Sequence, residues 1–198
     1  MNIGLYFGSF NPVHVGHLII ANHLLNFTDL KKVWFIVSPQ NPFKTRENLL
    51  NEYHRLHLLR LAIEDDVRMR AVDIEFNLPK PSYTATTLIH LEERYPEHHF
   101  SIIMGSDSFQ NIHKWKNYEA IVKHYTIYVY LRPGFEVNNT VNARVQILQA
   151  PLLDISATSI RQMIREKKSV RYLVPEKVQE EIARGGYYQN ELTDKKSK

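Results

Sequence analysis

Ten residues near the N-terminus, Gly8-Ser9-Phe10-Asn11-Pro12-Val13-His14-Val15-Gly16-His17, lie between two apolar runs and narrow what the chain can become. The run before them, Ile3 to Phe7, reads as a buried parallel strand. The run after them, Leu18 to Leu25, has the length of a helix and is bounded by polar Asn22, His23 and Asn26. A strand, a glycine-containing turn and a helix start make the first half of a βαβ unit. Nucleotide phosphates tend to sit there.

The rest of the chain keeps alternating. Val33 to Val37, Phe100 to Met104, Ile127 to Leu131 and Val145 to Leu148 read as buried strands, and Met69 to Glu75 as a further one. Helical spacing covers Asn48 to Glu64, a stretch from Ser82 as cap to about Tyr95, segments through His124, then Ile160 to Lys167 and Glu176 to Ala183. Prolines make 39–44 a loop, and Gly185-Gly186 should stop the last helix. The expected fold is α/β, a Rossmann-like doubly wound, mostly parallel sheet with helices on both faces. Ligands then belong at the carboxyl ends of the strands. At 198 residues we expect one domain over 1–189, its small C-terminal helices starting near 157, and a polar, frayed tail over 190–198.

The chain has no cysteine, which excludes disulfides, thiolate metal sites and a cysteine nucleophile. No signal-peptide pattern or membrane-spanning run is present, so the cytoplasm is the expected location and no membrane partner is expected. Net charge is +4, with lysines in scattered pairs such as Lys31-Lys32 and Lys167-Lys168. That suits anionic small molecules and lacks the basic stripe that nucleic acid would require.

Several residues carry candidate chemistry. His14 and His17, three apart, would share the N-terminal face of a helix beginning near Val15, beside free backbone N–H groups and the positive end of the helix dipole. Gly8 and Gly16 would let a ligand or a neighbouring segment approach the backbone. Such a face suits an oxyanion, although a His pair at this spacing is also common surface decoration. Near the other end of the chain stands Asp154-Ile155-Ser156-Ala157-Thr158-Ser159-Ile160-Arg161. Ser156 or Thr158 would cap a helix there, and the Arg161 fork could clamp phosphate oxygens, or the segment is simply a capped helix. Asp107, after Gly105 at a strand end, fits either a nucleotide or metal-water contact or a helix cap. Ser82-Tyr83-Thr84 opens a helix whose first amides could hold a carboxylate. Trp115 could stack on a pyridinium ring or belong to the core. Arg132, in an Arg-Pro-Gly turn, could approach a nucleotide or serve only the turn.

Taken together, Gly8 to His17 resembles the HxGH signature of the nucleotidyltransferase superfamily, and Ile155 to Arg161 its ISxTxxR segment. With Pro81-Ser82-Tyr83-Thr84 and the Gly105-Ser106-Asp107-Ser108-Phe109 stretch leading to Trp115, the nearer resemblance is to bacterial nicotinate-nucleotide adenylyltransferases. It runs along nearly the whole chain. The resemblance implies adenylyl transfer from ATP to nicotinate mononucleotide, giving deamido-NAD and pyrophosphate in NAD biosynthesis. It implies His14, His17, Lys44 and Arg161 as the catalytic set. The ATP site would comprise Gly8, Ser9, Phe10, Gly16, Gly105, Asp107, Ile155, Ser156, Thr158 and Arg161. Ser82, Tyr83, Thr84 and Trp115 would hold the acceptor. Mg²⁺ would be carried mainly by substrate phosphates and water, with no dedicated metal ligands, and oligomerisation is left open. One departure is Phe43, where the family often has histidine before the lysine that is here Lys44. The competing expectations are the same transfer onto nicotinamide mononucleotide or phosphopantetheine, and a nucleotide-sensing protein without turnover.

Overall fold

Most strands of this chain are apolar on both sides, and helices cover both sides of the sheet they form. The computed structural model describes residues 1–40, 49–151 and 154–189. Its strands are β1 (Asn2–Gly8), β2 (Lys32–Val37), β3 (Met69–Val72), β4 (His99–Gly105), β5 (Thr126–Tyr130) and β6 (Arg144–Leu148). They lie in the order β3-β2-β1-β4-β5-β6, and every pairing is parallel.

The helices are α1 (Val15–Phe27), α2 (Glu52–Ile63), α3 (Thr84–Arg94), α4 (Ser106–Phe109), α5 (Tyr118–His124), α6 (Ala157–Arg165) and α7 (Glu176–Gly185). Side chains alternate across a strand, so Tyr6 of β1 joins one core layer and Ile3 and Leu5 the other. The Tyr6 layer takes Leu24 of α1, Leu59 of α2, Ile160 of α6 and Val178 of α7. Leu88 of α3 and Ile121 of α5 fill the second layer. This is the expected doubly wound sheet, with no antiparallel strand among the described residues. Its order reverses between β1 and β4, which opens a crevice outside Gly8 and Gly105.

Some boundaries differ from the sequence reading, each for a local reason. The strand expected to reach Glu75 stops at Val72, and Ile74–Asn77 forms a 3₁₀ turn that buries the Glu75 side chain. The helix expected from Asn48 starts at Glu52, because the Asn51 side chain accepts the Tyr53 N–H at 2.9 Å. Ser82 does not cap α3: Tyr83 holds that position, and the Ser82 hydroxyl donates to Glu75 at 2.7 Å. At α7 the stop is as expected, with Gly186 in the left-handed conformation at φ +63°.

Arg55, on the inward face of α2, is wholly buried, and backbone carbonyls surround its guanidinium. Nε donates to Leu50 at 2.7 Å, Nη1 to Ser9 at 2.6 Å and Ser38 at 2.9 Å, and Nη2 to Pro39 at 3.1 Å. One side chain thus ties together the loop after β1, the end of β2 and the approach to α2. Burial lowers its pKa to about 10, which leaves it charged at neutral pH. A buried acceptor stripped of its donor costs roughly 1–3 kcal/mol, and several would be stripped at once. Arg55→Met should therefore lower the unfolding free energy by about 3 kcal/mol or more in urea melts. A loss within about 0.5 kcal/mol, the range of an ordinary surface change, would contradict that role.

Candidate active site

The first candidate cluster forms where β1 passes into α1. His14 is the N-cap residue of α1 in extended conformation, and its ring packs against that of His17 with centroids 3.7 Å apart and planes tilted by 31°. The His14 backbone N–H donates to His17 Nδ1 at 3.2 Å. A neutral imidazole that accepts at Nδ1 carries its proton on Nε2, so His17 is fixed as an Nε2–H donor. His14 is only 7% exposed. Burial, assisted by the nearby Arg132 charge, lowers its pKa to about 4. It is neutral at pH 7 and offers one N–H donor.

One sequence expectation changes here, and of the two offered for the glycines the neighbouring segment is the one observed. The start of α1 is less open than its amides imply: the Val15 N–H donates to the Leu173 carbonyl at 3.0 Å, and the His17 N–H to the His14 carbonyl at 3.0 Å. The space beside the glycines is filled by the chain itself. A Cβ on Gly8 would stand 2.8 Å from the Phe10 ring, and one on Gly16 would stand 3.0 Å from His14 Nδ1. These glycines admit neighbouring side chains. Phe10 is buried, at φ +46°, with its ring edge-on to Tyr6, His17 and Phe35.

The second cluster reaches back to the first. Ser156 caps α6, its hydroxyl accepting the Ser159 N–H at 3.1 Å. Arg161, one turn along, donates Nη1 to the Asn11 carbonyl at 2.7 Å and Nη2 to the Thr158 hydroxyl at 3.2 Å. Asn11 Oδ1 in turn accepts the Leu50 N–H at 3.2 Å. Motifs 150 residues apart are thus joined by a direct bond. Burial lowers the Arg161 pKa from its ordinary value.

Between the clusters runs a cleft of about 670 Å³, lined by Gly8, Ser9, Phe10, His14, His17, Asp107, Ile155, Ser156, Thr158 and Arg161. A recess of about 100 Å³ beside it adds Gly16. A neighbouring cavity of about 450 Å³ gathers Ser82, Tyr83, Thr84, Gly105 and Trp115. The cleft and this cavity share Tyr6, Phe7, Gly8, Gln40, Ser108 and Tyr130 as walls. All the sequence-derived candidates therefore line these spaces except Lys44, which lies outside the described residues.

Asp107 is not a helix cap, since Gly105 holds that place. It forms an ion pair with Arg132 Nε at 3.3 Å. Arg132 also donates Nη2 to the Tyr130 hydroxyl at 3.3 Å, and its backbone N–H donates to Ser106 Oγ at 2.9 Å. Arg132 lines the cleft, and its carbonyl also accepts the Phe135 N–H at 3.1 Å, so it serves the turn as well. Its place just past the carboxyl end of β5 was the available signal. Glu75 was missed altogether. Its carboxylate accepts from Ser82 at 2.7 Å and from Thr87 at 2.9 Å. Burial pushes its pKa up while those hydroxyls pull it down. An acid closing an apolar strand pattern was its only mark in the sequence.

The model of the cytidylyltransferase-like family matches residues 5–163. A protein of Cytophaga hutchinsonii is 49% identical over 193 residues, covering 96% of this chain and 100% of its own length. One from Flavobacterium psychrophilum is 48% identical over 191 residues, covering 95% and 99%. Each carries the name "probable nicotinate-nucleotide adenylyltransferase". The chain belongs to the nicotinate-nucleotide adenylyltransferase family. Its fold is also that of the Plasmodium falciparum nicotinic acid mononucleotide adenylyltransferase solved with NaAD, at a TM-score of 0.82 and 19% identity, over 97% of this chain and 99% of that one.

The neutrality of His14 can be tested directly. In a ¹H–¹⁵N titration its imidazole should titrate near pH 4, and a midpoint near the ordinary 6.5 would contradict the burial argument. Because the unfolded chain binds this proton near 6.5, the stability linked to His14 is complete above about pH 6.5 and is lost as pH falls through about 4.

Proposed function

We infer that the chain transfers the adenylyl group of ATP to nicotinate mononucleotide, producing deamido-NAD and pyrophosphate. The observation that carries this reading is a pair of cavities with a common wall, in which Tyr6 packs against His17 of the His14–His17 pair. One is lined by the phosphate-gripping candidates and the other by Trp115. The names of the similar proteins agree with it.

The nucleophile needs little help. A phosphate monoester is mostly dianionic at pH 7, its second pKa being about 6, so no strong general base is required. An oxygen of the acceptor 5′-phosphate bonds to the α-phosphorus of ATP, and the bond from that phosphorus to the α,β-bridging oxygen breaks. The electron pair leaves with pyrophosphate. The difficulty lies in bringing two polyanions together and stabilising the transition-state charge. His14 and His17 offer neutral N–H donors there, and Arg161 supplies a guanidinium whose position is already fixed by Asn11 and Thr158. Lys44 would add a further cation. Backbone at Gly8, Ser9, Phe10 and Ile155, with Thr158, would border the nucleotide. Among the described residues no three His, Cys, Asp or Glu side chains cluster as a metal site. A divalent ion, Mg²⁺ in our reading, would travel on the triphosphate, and Asp107, which lines the cleft, would meet one of its waters. Such an ion neutralises phosphate oxygens.

On the acceptor side, the Thr86 and Thr87 N–H groups already bond to the Tyr83 carbonyl. Those of Thr84 and Ala85 precede the helix's own ladder and suit a carboxylate, with Trp115 stacked on the ring.

Two measurements check this reading. Pyrophosphate release from ATP and Mg²⁺ should be strong with nicotinate mononucleotide and weak with nicotinamide mononucleotide. Equal rates would remove the carboxylate account, and release only with phosphopantetheine would replace the acceptor. His17→Ala should cut kcat by about 10²-fold or more, the scale of a lost transition-state donor, while ATP affinity changes little. Wild-type turnover would remove His17 from the mechanism.

A further inference from the structure

The acceptor cavity carries charges that adenylyl transfer itself does not need. Glu75, 2% exposed, is part of its wall, so a carboxylate-bearing acceptor enters a pocket that already holds an acid. Two lysines flank Trp115 on the same cavity, and they are not equivalent. Lys114 donates Nζ to Asn111 Oδ1 at 2.7 Å. The Lys116 Nζ instead lies over the Tyr83 ring, 4.6 Å from its centroid. Tyr83 is the N-cap residue of α3, so this ammonium stands beside the helix start that faces the cavity. The backbone holds it there: Trp115 is extended, and left-handed Asn117 turns the chain into α5 immediately after Lys116.

We propose that Lys116 is a specificity-determining residue, whose ammonium favours pyridine nucleotides bearing a ring carboxylate over those bearing a ring amide. The inference rests on the acceptor assigned above. Backbone amides can donate to the carbonyl oxygen of a carboxamide as well as to a carboxylate, so alone they discriminate by orientation. An ammonium has three donors and no acceptor. It gains a full ion pair from the acid and only a dipole from the amide. A cation over an accessible aromatic face is held weakly, so the side chain can turn from Tyr83 to a carboxylate at small cost. It also offsets the field of Glu75 at the point where the second negative charge enters. Since Lys116 remains solvent-accessible, the expected discrimination is modest, about fivefold.

The test compares wild type, Lys116→Gln and Lys116→Arg with nicotinate and nicotinamide mononucleotides, in steady-state turnover at saturating ATP and in calorimetric binding without ATP. Lys116→Gln should raise KM and Kd for the acid by about fivefold, with the effect on KM rather than kcat. The values for the amide should stay where they are. Lys116→Arg should keep the wild-type acid-to-amide ratio. Added salt should weaken acid binding to wild type more than to Lys116→Gln. An unchanged acid-to-amide ratio in Lys116→Gln, with turnover intact, would overturn the role of Lys116 and leave the reaction standing. A Lys116-dependent preference in binding without any pyrophosphate release would uphold the residue and overturn the reaction.

Discussion

A single buried cation holds the catalytic end of this sheet in shape. The Arg55 guanidinium takes carbonyl oxygens from Ser9, Ser38, Pro39 and Leu50, segments that no regular secondary structure would hold together. Leu50 then passes its N–H to Asn11, and the Asn11 carbonyl accepts from Arg161. A continuous set of hydrogen bonds therefore runs from α2 through the first motif to α6. Apolar packing between the loop carrying His14 and the helix carrying Arg161 fixes distance but not the direction of a donor, which these hydrogen bonds supply. Phosphoryl chemistry depends on that direction.

The electrostatics of the cleft follow from burial more than from the number of charges. His14 is neutral because it is desolvated beside Arg132, and two neutral imidazoles can stack at 3.7 Å where two cations would repel. Permanent charge is left to arginines: Arg132 is directed by Asp107 and Tyr130, and Arg161 by Asn11 and Thr158. This separates two tasks. In the proposed reaction the guanidiniums would attract and orient the polyanions, while imidazole N–H groups would meet charge where it develops.

The fold was legible because its signals were local. Short apolar runs alternating with helical spacing, and the turn after Phe7, imply a doubly wound sheet with its ligand at the strand ends. The His14–His17 pairing could be read from spacing alone, which also narrowed the α6 cap to Ser156 or Thr158. What escaped depended on distant partners. Arg55 looks like one more charged residue in an amphipathic stretch, because the four carbonyls that bury it come from other segments. Ser82 has the chemistry of a helix cap, yet Glu75 takes its hydroxyl, and nothing near Ser82 in the sequence announces that acid. The free amides expected at α1 are partly used by Leu173, more than 150 residues away. A glycine in a motif shows only that space is needed. It was Phe10 and His14 that filled the space at Gly8 and Gly16.

The central claim is that the two cavities share a wall against the histidine pair so that both substrates' phosphates converge there. A crystal structure of the chain with nicotinate mononucleotide and a non-hydrolysable ATP analogue tests it most directly. The account predicts the triphosphate between His14, His17 and Arg161, the pyridine ring against Trp115, and the acceptor phosphate facing the α-phosphorus across the Tyr6–Tyr130 wall. A triphosphate bound away from the two histidines, or an acceptor phosphate directed out of the shared opening, would contradict it.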